Sequence, residues 1–276
     1  MIEIPEAAVL AGQVNKTFSG KTIRRVVAAQ TPHGFAWYSG DPAGYPGLLT
    51  GKTVGAAVNL GGMVRVQASD TLLLFADGVN LRFHQTPAGQ PLRHQLLIEF
   101  DDSTSLSATV AMYGGLFCFP EGGNTDNPYY RAALEKPSPL TDAFSSDYFS
   151  TLFLPELDKL SLKAFLATQQ RIPGLGNGVL QDILYLAGLH PKCKVEVLGA
   201  QGKADLYFAV VNTLREMEEK GGRDTEKDLF GNAGGYPTRM SKNTVGKACP
   251  RCGQVIQKQA YPGGSIYFCP GCQKEN

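Results

Sequence analysis

The chain has 276 residues, 43% hydrophobic and 18% charged, which is enough apolar material for a sizeable core and too much for a disordered segment. Twenty-six basic residues against 25 acidic ones leave a formal charge of +1, which argues against a protein held on nucleic acid or membrane by bulk positive charge. The longest apolar runs, such as 72–76, fall far short of the roughly 18–20 residues of a membrane span, and the opening Met-Ile-Glu-Ile-Pro-Glu has acids where a signal peptide needs bases. A cytosolic globular protein with more than one domain is expected.

A short helix is expected over about 5–15, because Pro5 is tolerated in a first turn where its missing N–H has no partner to lose. Short apolar runs then follow, broken by Gly, Pro, Asn and Asp: 21–29, 71–75, 95–100 and 116–119 read as strands, with turns at Gly61-Gly62 and Asp77-Gly78. A β-sandwich or barrel fits this half. From 124 to 150 the chain turns rich in Asn, Pro, Ser and Asp and reads as a connection. The apolar period then becomes helical through Leu160, Leu162, Phe165 and Leu166, again through Val179–184, and again through Leu206, Val210 and Leu214. The fold class is therefore α+β and multidomain, with domains at 1–150, 151–235 and 236–276.

The strongest chemical signal closes the chain. Cys249-Pro-Arg-Cys252 and Cys269-Pro-Gly-Cys272 are two CxxC knuckles at a spacing that places four thiolates around one Zn²⁺, a closed and hence structural site. The residues between them read as two strands turning around Pro262, Gly263 and Gly264, a β-hairpin zinc finger. So short a tail builds little core alone, so the metal is expected to supply much of its folding energy. Basic residues concentrate there: Arg239, Lys242, Lys247, Arg251, Lys258 and Lys274 stand against Glu275 alone. That tail is a local basic patch, or else an ordinary solvated surface.

A second signal is Gly174-Leu175-Gly176-Asn177 ahead of a helical pattern. The glycines permit tight backbone, and Asn177 stands where a helix starts; free N–H groups there suit a phosphate, though a plain helix–helix turn capped by Asn has the same appearance. Glu3 and Glu6 suit the positive end of the first helix. Cys118 and Cys193 read as core thiols, and the four histidines have no ligand spacing.

Taken in order, the N-terminal EIPE, the PGLGN turn with LQDILYLAGLHP, the Gly221-Gly222 helix end and the terminal CPRCG…YFCPGCQ resemble the Fpg/Nei family of DNA glycosylases along the whole chain. The resemblance implies an N-terminal β-sandwich with a leading helix, a helix-two-turn-helix domain and a C-terminal β-hairpin zinc finger. It implies duplex DNA, damaged or abasic, as partner, with RNA left open, no membrane, a monomer, and one structural Zn²⁺. It places Gly174, Gly176 and Asn177 on phosphates and Cys249, Cys252, Cys269 and Cys272 on the metal.

The same resemblance exposes departures. Family members expose a proline at position 2 whose secondary amine attacks the sugar, with glutamates moving protons. Here position 2 is Ile, whose bulk blocks removal of Met1, so the free amine belongs to Met1, about 3.8 Å of Cα spacing upstream. An α-amine with a pKa near 8 remains a competent nucleophile, but that displacement disturbs attack geometry. Glu3 and Glu6 match. The family's strand lysine falls within Asn59–63, its base-gap residues near Ala111, Met112 and Tyr113, and its finger arginine at 263–265, and no base stands at any of them. Two readings follow. One is a damaged- or structured-DNA-binding protein with impaired proline chemistry. The other is a glycosylase or AP lyase using the Met1 amine or a lysine, with Glu3 shuttling protons.

Overall fold

A computed structural model describes residues 1–123 and 126–275. The first positions of the expected connection, 124 and 125, lie outside the described residues. Contacts divide the chain into two units, one formed by 1–131 with 226–233 and the other by 132–225 with the residues from 234 onward.

The first unit opens with helix α1 (Ile4–Phe18), which buries Ile4, Ala7, Leu10, Ala11, Val14 and Phe18, the three-and-four spacing of one apolar face. Strands β1 (Ile23–Ala28) and β2 (Ala36–Tyr38), helix α2 (Tyr45–Leu49), and strands β3 (Val54–Leu60), β4 (Met63–Ala68), β5 (Thr71–His84), β6 (Leu96–Phe100) and β7 (Ser105–Pro120) follow. The strands make one seven-stranded sheet in the order β1-β6-β7-β5-β4-β3, with β2 parallel to β7. The long β5–β7 pair is its spine. Up to Ala76, β5 also pairs with β4, whereas beyond Val79 it faces the half of β7 that pairs with β6. The core contains Phe18, Tyr45, Phe75 and Phe100, and also Leu229 from the far end of the sequence.

Gly61-Gly62 joins β3 to β4 as expected. The turn expected at Asp77-Gly78 is instead a bulge inside β5, where the register slips between Asp77 and Val79. Asp77 adopts a left-handed φ of 49°, and a Cβ on Gly78 would stand 2.1 Å from the Tyr113 carbonyl oxygen. A turn residue and a missing side chain therefore kink the strand without reversing it.

The division into units falls inside helix α3 (Pro128–Glu135). The second unit continues with α4 (Ser146–Thr151) and α5 (Leu162–Ala167), whose first turns are capped by the hydroxyls of Ser145 and Ser161. Helices α6 (Val179–Leu186) and α7 (Ala200–Glu219) pack on each other, and the rings of Phe144, Phe149 and Tyr207 cluster in the same unit. Gly221 and Gly222 end α7 with φ of 76° and 93°. The unit closes with β8 (Gln257–Tyr261) and β9 (Gly264–Phe268), the antiparallel hairpin read from the sequence. Among the described residues no helix is long and apolar enough to cross a membrane.

Candidate functional site

The expected site residues fall in two groups, one in each unit. In the first unit, Glu3 is the N-cap of α1 and forms a reciprocal capping box with Glu6: the Glu3 N–H donates to the Glu6 carboxylate at 3.3 Å. Both acids are buried. Their place in sequence thus has a local structural cause, the unpaired N–H groups of the first turn.

Upstream, Ile2 is buried and its backbone N–H donates to the Asp77 carbonyl at 2.9 Å, so the bulge of β5 holds the start of the chain. Met1 is 44% exposed. Its α-ammonium pairs with the carboxylate of Glu226, and its Sδ accepts the Tyr113 hydroxyl at 3.7 Å. Burial pushes the Asp77 carboxyl up from the usual range, and the N-terminal amine partly offsets that. The Tyr113 phenol is likewise raised, by burial and then by Asp77, Glu3 and Tyr129. Tyr113 also lies 6.0 Å, centroid to centroid, from the half-exposed ring of Trp37, and Met112 beside it is 69% exposed. Sequence reading did not single out Asp77, Trp37 or Glu226 as site residues. Asp77 gave a turn signal only, and nothing local to Glu226 ties it to Met1.

In the second unit, Gly174 takes a left-handed φ of 79°, which explains that glycine; Gly176 is not left-handed. Arg171 is buried and donates to the carbonyls of Ala164, Phe165 and Thr168, tying the turn to the end of α5. Asn177 does not cap α6, which starts after Gly178. Its amide instead donates to the Ser265 carbonyl at 3.1 Å and its Oδ1 accepts from Gln181 at 3.1 Å. Gln181 also donates to Ser265 and accepts from the Tyr267 N–H, so it binds β9 like an extra strand residue. Lys163, largely buried, donates to the Pro262 carbonyl at 2.9 Å. The hairpin turn and the glycine-asparagine turn therefore form one bonded assembly. Tyr236 is fully buried, and the Arg239 N–H is held by Asp182.

The four knuckle cysteines converge, with all their sulfur atoms within 4.8 Å of one another. Backbone bonds from Gly253 to Cys249 and from Gln273 to Cys269 shape the two knuckles. Gly271 cannot carry a side chain, since its Cβ would lie 2.8 Å from Cys252 Sγ. Gln273 accepts from the Cys269 N–H and donates to the Leu189 carbonyl, linking the site to the end of α6. Four thiolates this close repel one another, and a bound cation removes that repulsion. The arrangement suits a closed structural metal ion.

The chain is 26% identical to a formamidopyrimidine-DNA glycosylase of Brevibacillus brevis over 281 residues, covering 99% of each. No protein-family model matches it. Its fold superimposes on the MutM (Fpg) protein of Thermus thermophilus with a TM-score of 0.82 at 24% identity, and on Lactococcus lactis Fpg, solved with abasic-site DNA, with 0.82 at 22%, covering at least 99% of every chain. The chain has the fold of the Fpg proteins, and its full-length likeness to them supports the Fpg/Nei family. In this chain acids lead α1, a glycine-asparagine turn precedes α6 and two cysteine knuckles converge, and the nitrogen at position 2 is the amide of Ile2 bonded to the Asp77 carbonyl.

Proposed function

We propose that this protein recognises damaged or abasic duplex DNA in base excision repair, with proline-dependent glycosylase chemistry impaired. The observation that carries this reading is the Ile2 amide: a nitrogen already acylated by Met1 and hydrogen-bonded at 2.9 Å has no lone pair to offer a sugar. The relatives are named DNA glycosylases, and similar solved chains are Fpg proteins bound to abasic-site and FAPY-dG DNA. In this reading Asn177, Gly174 and Gly176 hold phosphates, the basic residues from Arg239 to Lys274 add charge, and Cys249, Cys252, Cys269 and Cys272 bind one Zn²⁺. Work in a bacterial cytoplasm, on the nucleoid, fits such a role. Titrating intact and abasic duplexes at several salt concentrations tests it: binding that favours the abasic duplex and weakens with salt is expected, without strand cleavage. Failure to bind either duplex would sink it.

A second reading is favoured by one observation, the contact of the Met1 α-ammonium with the Glu226 carboxylate. Here the primary amine of Met1 is the nucleophile of an AP lyase, with Glu3 shuttling a proton and Glu6 holding Glu3 in place. Sodium borohydride traps the resulting Schiff base on abasic DNA, and blocking the α-amine abolishes the adduct.

A further inference from the structure

We infer that Glu226 is the proton acceptor for the Met1 α-amine, delivered to it by a strap of chain, 226–233, that inserts into the sheet unit. The inference rests on the lyase reading and names the group that makes it work.

The strap is anchored at three residues. Leu229 is fully buried in the sheet core, its N–H donates to the Gln13 side chain at 2.9 Å, and its carbonyl accepts from the Phe83 N–H at 2.9 Å. Phe230 sets its ring edge-on to Phe83 at 5.8 Å. Asp228 accepts from Gln13 at 3.0 Å and from the N–H groups of Phe230 and Asn232, while its carbonyl takes the Arg82 guanidinium at 3.0 Å. A backbone bond from Asp228 N–H to the Asn232 carbonyl closes the turn. A core leucine with both backbone groups paired does not drift, so the residue two positions before Asp228 is held as well.

That residue is Glu226, whose carboxylate pairs with the Met1 nitrogen. Other titratable groups face the same terminus from three elements. Asp77 on β5 receives the Ile2 N–H on its carbonyl, not its carboxylate, and burial favours its neutral form. Tyr113 on β7 meets the Met1 sulfur, and Glu3 is engaged in the capping box of α1. Glu226 is only partly buried, with a quarter of its side chain exposed, so a proton it takes can return.

The step balances. The ammonium gives one proton to Glu226, and the neutral amine adds to the aldehyde carbon of an open abasic sugar: the C–N bond forms, the carbonyl π pair moves onto oxygen, and a proton passes from nitrogen to that oxygen. The carbinolamine oxygen then takes the proton back from Glu226 and leaves as water, giving the protonated imine. No oxidant, metal or co-reactant enters.

The test uses full-length protein whose first residue is verified as Met1 by mass spectrometry. Borohydride trapping on an abasic duplex is timed from pH 6 to 9 for wild type, Glu226→Gln, Glu226→Asp and wild type acylated at the α-amine, with affinity for the same duplex and Tm measured alongside. On the lyase reading, wild type traps and the acylated protein does not. Glu226→Gln slows trapping by about tenfold or more at pH 7 with affinity unchanged. The gap narrows towards pH 9 as hydroxide competes with Glu226 for the role of base, and Glu226→Asp recovers part of the rate. Equal rates in wild type and Glu226→Gln, or a gap that ignores pH, overturn the role of Glu226 and leave the amine reading standing. No trapping by wild type, or trapping that survives acylation, removes the lyase reading and Glu226's role with it.

Discussion

The backbone N–H of Ile2 donates to the carbonyl oxygen of Asp77 at 2.9 Å, so the start of the chain is held by a bulge in the middle of β5. Replacing Ile2 by Pro removes that donor and a buried side chain, and it also permits removal of Met1. Mass spectrometry is expected to show a chain beginning at position 2, and trapping on abasic DNA is expected to exceed that of wild type. A chain that loses Met1 yet traps no faster would count against position 2 as what limits the chemistry.

Asp77→Asn probes the cost of the buried carboxyl. Burial raises the Asp77 pKa, so its contribution to stability is present below the ordinary carboxylate pKa and is lost as pH rises through the raised value. Asparagine accepts the left-handed φ of 49° as readily as aspartate. The variant is expected to melt higher than wild type at pH 8, by on the order of 2 °C, with the difference closing near pH 4. A lower melting point at pH 8 would mean that attraction to the Met1 ammonium outweighs desolvation.

Leu229→Ala tests the strap. Removing a fully buried leucine from a packed core costs about 2–5 kcal/mol. At about 2–4 °C per kcal/mol for units of this size, Tm should fall by at least about 4 °C. A Tm unchanged by the substitution would show that Leu229 does not belong to the core.

Metal removal should act on the second unit. Chelation, or Cys269→Ser, is expected to release one equivalent of zinc by mass spectrometry and to collapse the amide resonances of β8 and β9, because ligand binding supplies folding energy to so small a hairpin. Affinity for DNA should drop with them, since Asn177 and Lys163 are bonded to that hairpin. An intact hairpin after complete chelation would contradict a structural ion.

The residues legible in sequence were those whose partners lie nearby or repeat a pattern. The CxxC pairs announce their geometry by spacing, β8 and β9 flank their own turn, and α1 declares its face by periodicity. Asp77-Gly78 misled, since a turn pair is also the composition of a bulge, and only the opposite strand, with the Tyr113 carbonyl at Gly78, decides between them. Asn177 stands where a helix starts, so a phosphate site and a helix cap look alike in sequence; the cap falls instead on Gly178, and the Asn177 amide goes to the Ser265 carbonyl of the finger. Glu226 was invisible: its partner is the first residue of the chain, and no local pattern encodes a pairing across so long a separation.

The strap also limits how this chain can be cut and recombined. A fragment ending at the connection near residue 150 would fold its sheet without Leu229, leaving a hole where a side chain belongs and leaving Gln13, Phe83 and Arg82 without their strap partners. Swapping halves with a relative at that single junction would pair one parent's socket with the other parent's plug. A viable hybrid must carry 226–233 along with the N-terminal half, so inheritance of the two halves is coupled by a handful of residues far along the sequence from that junction.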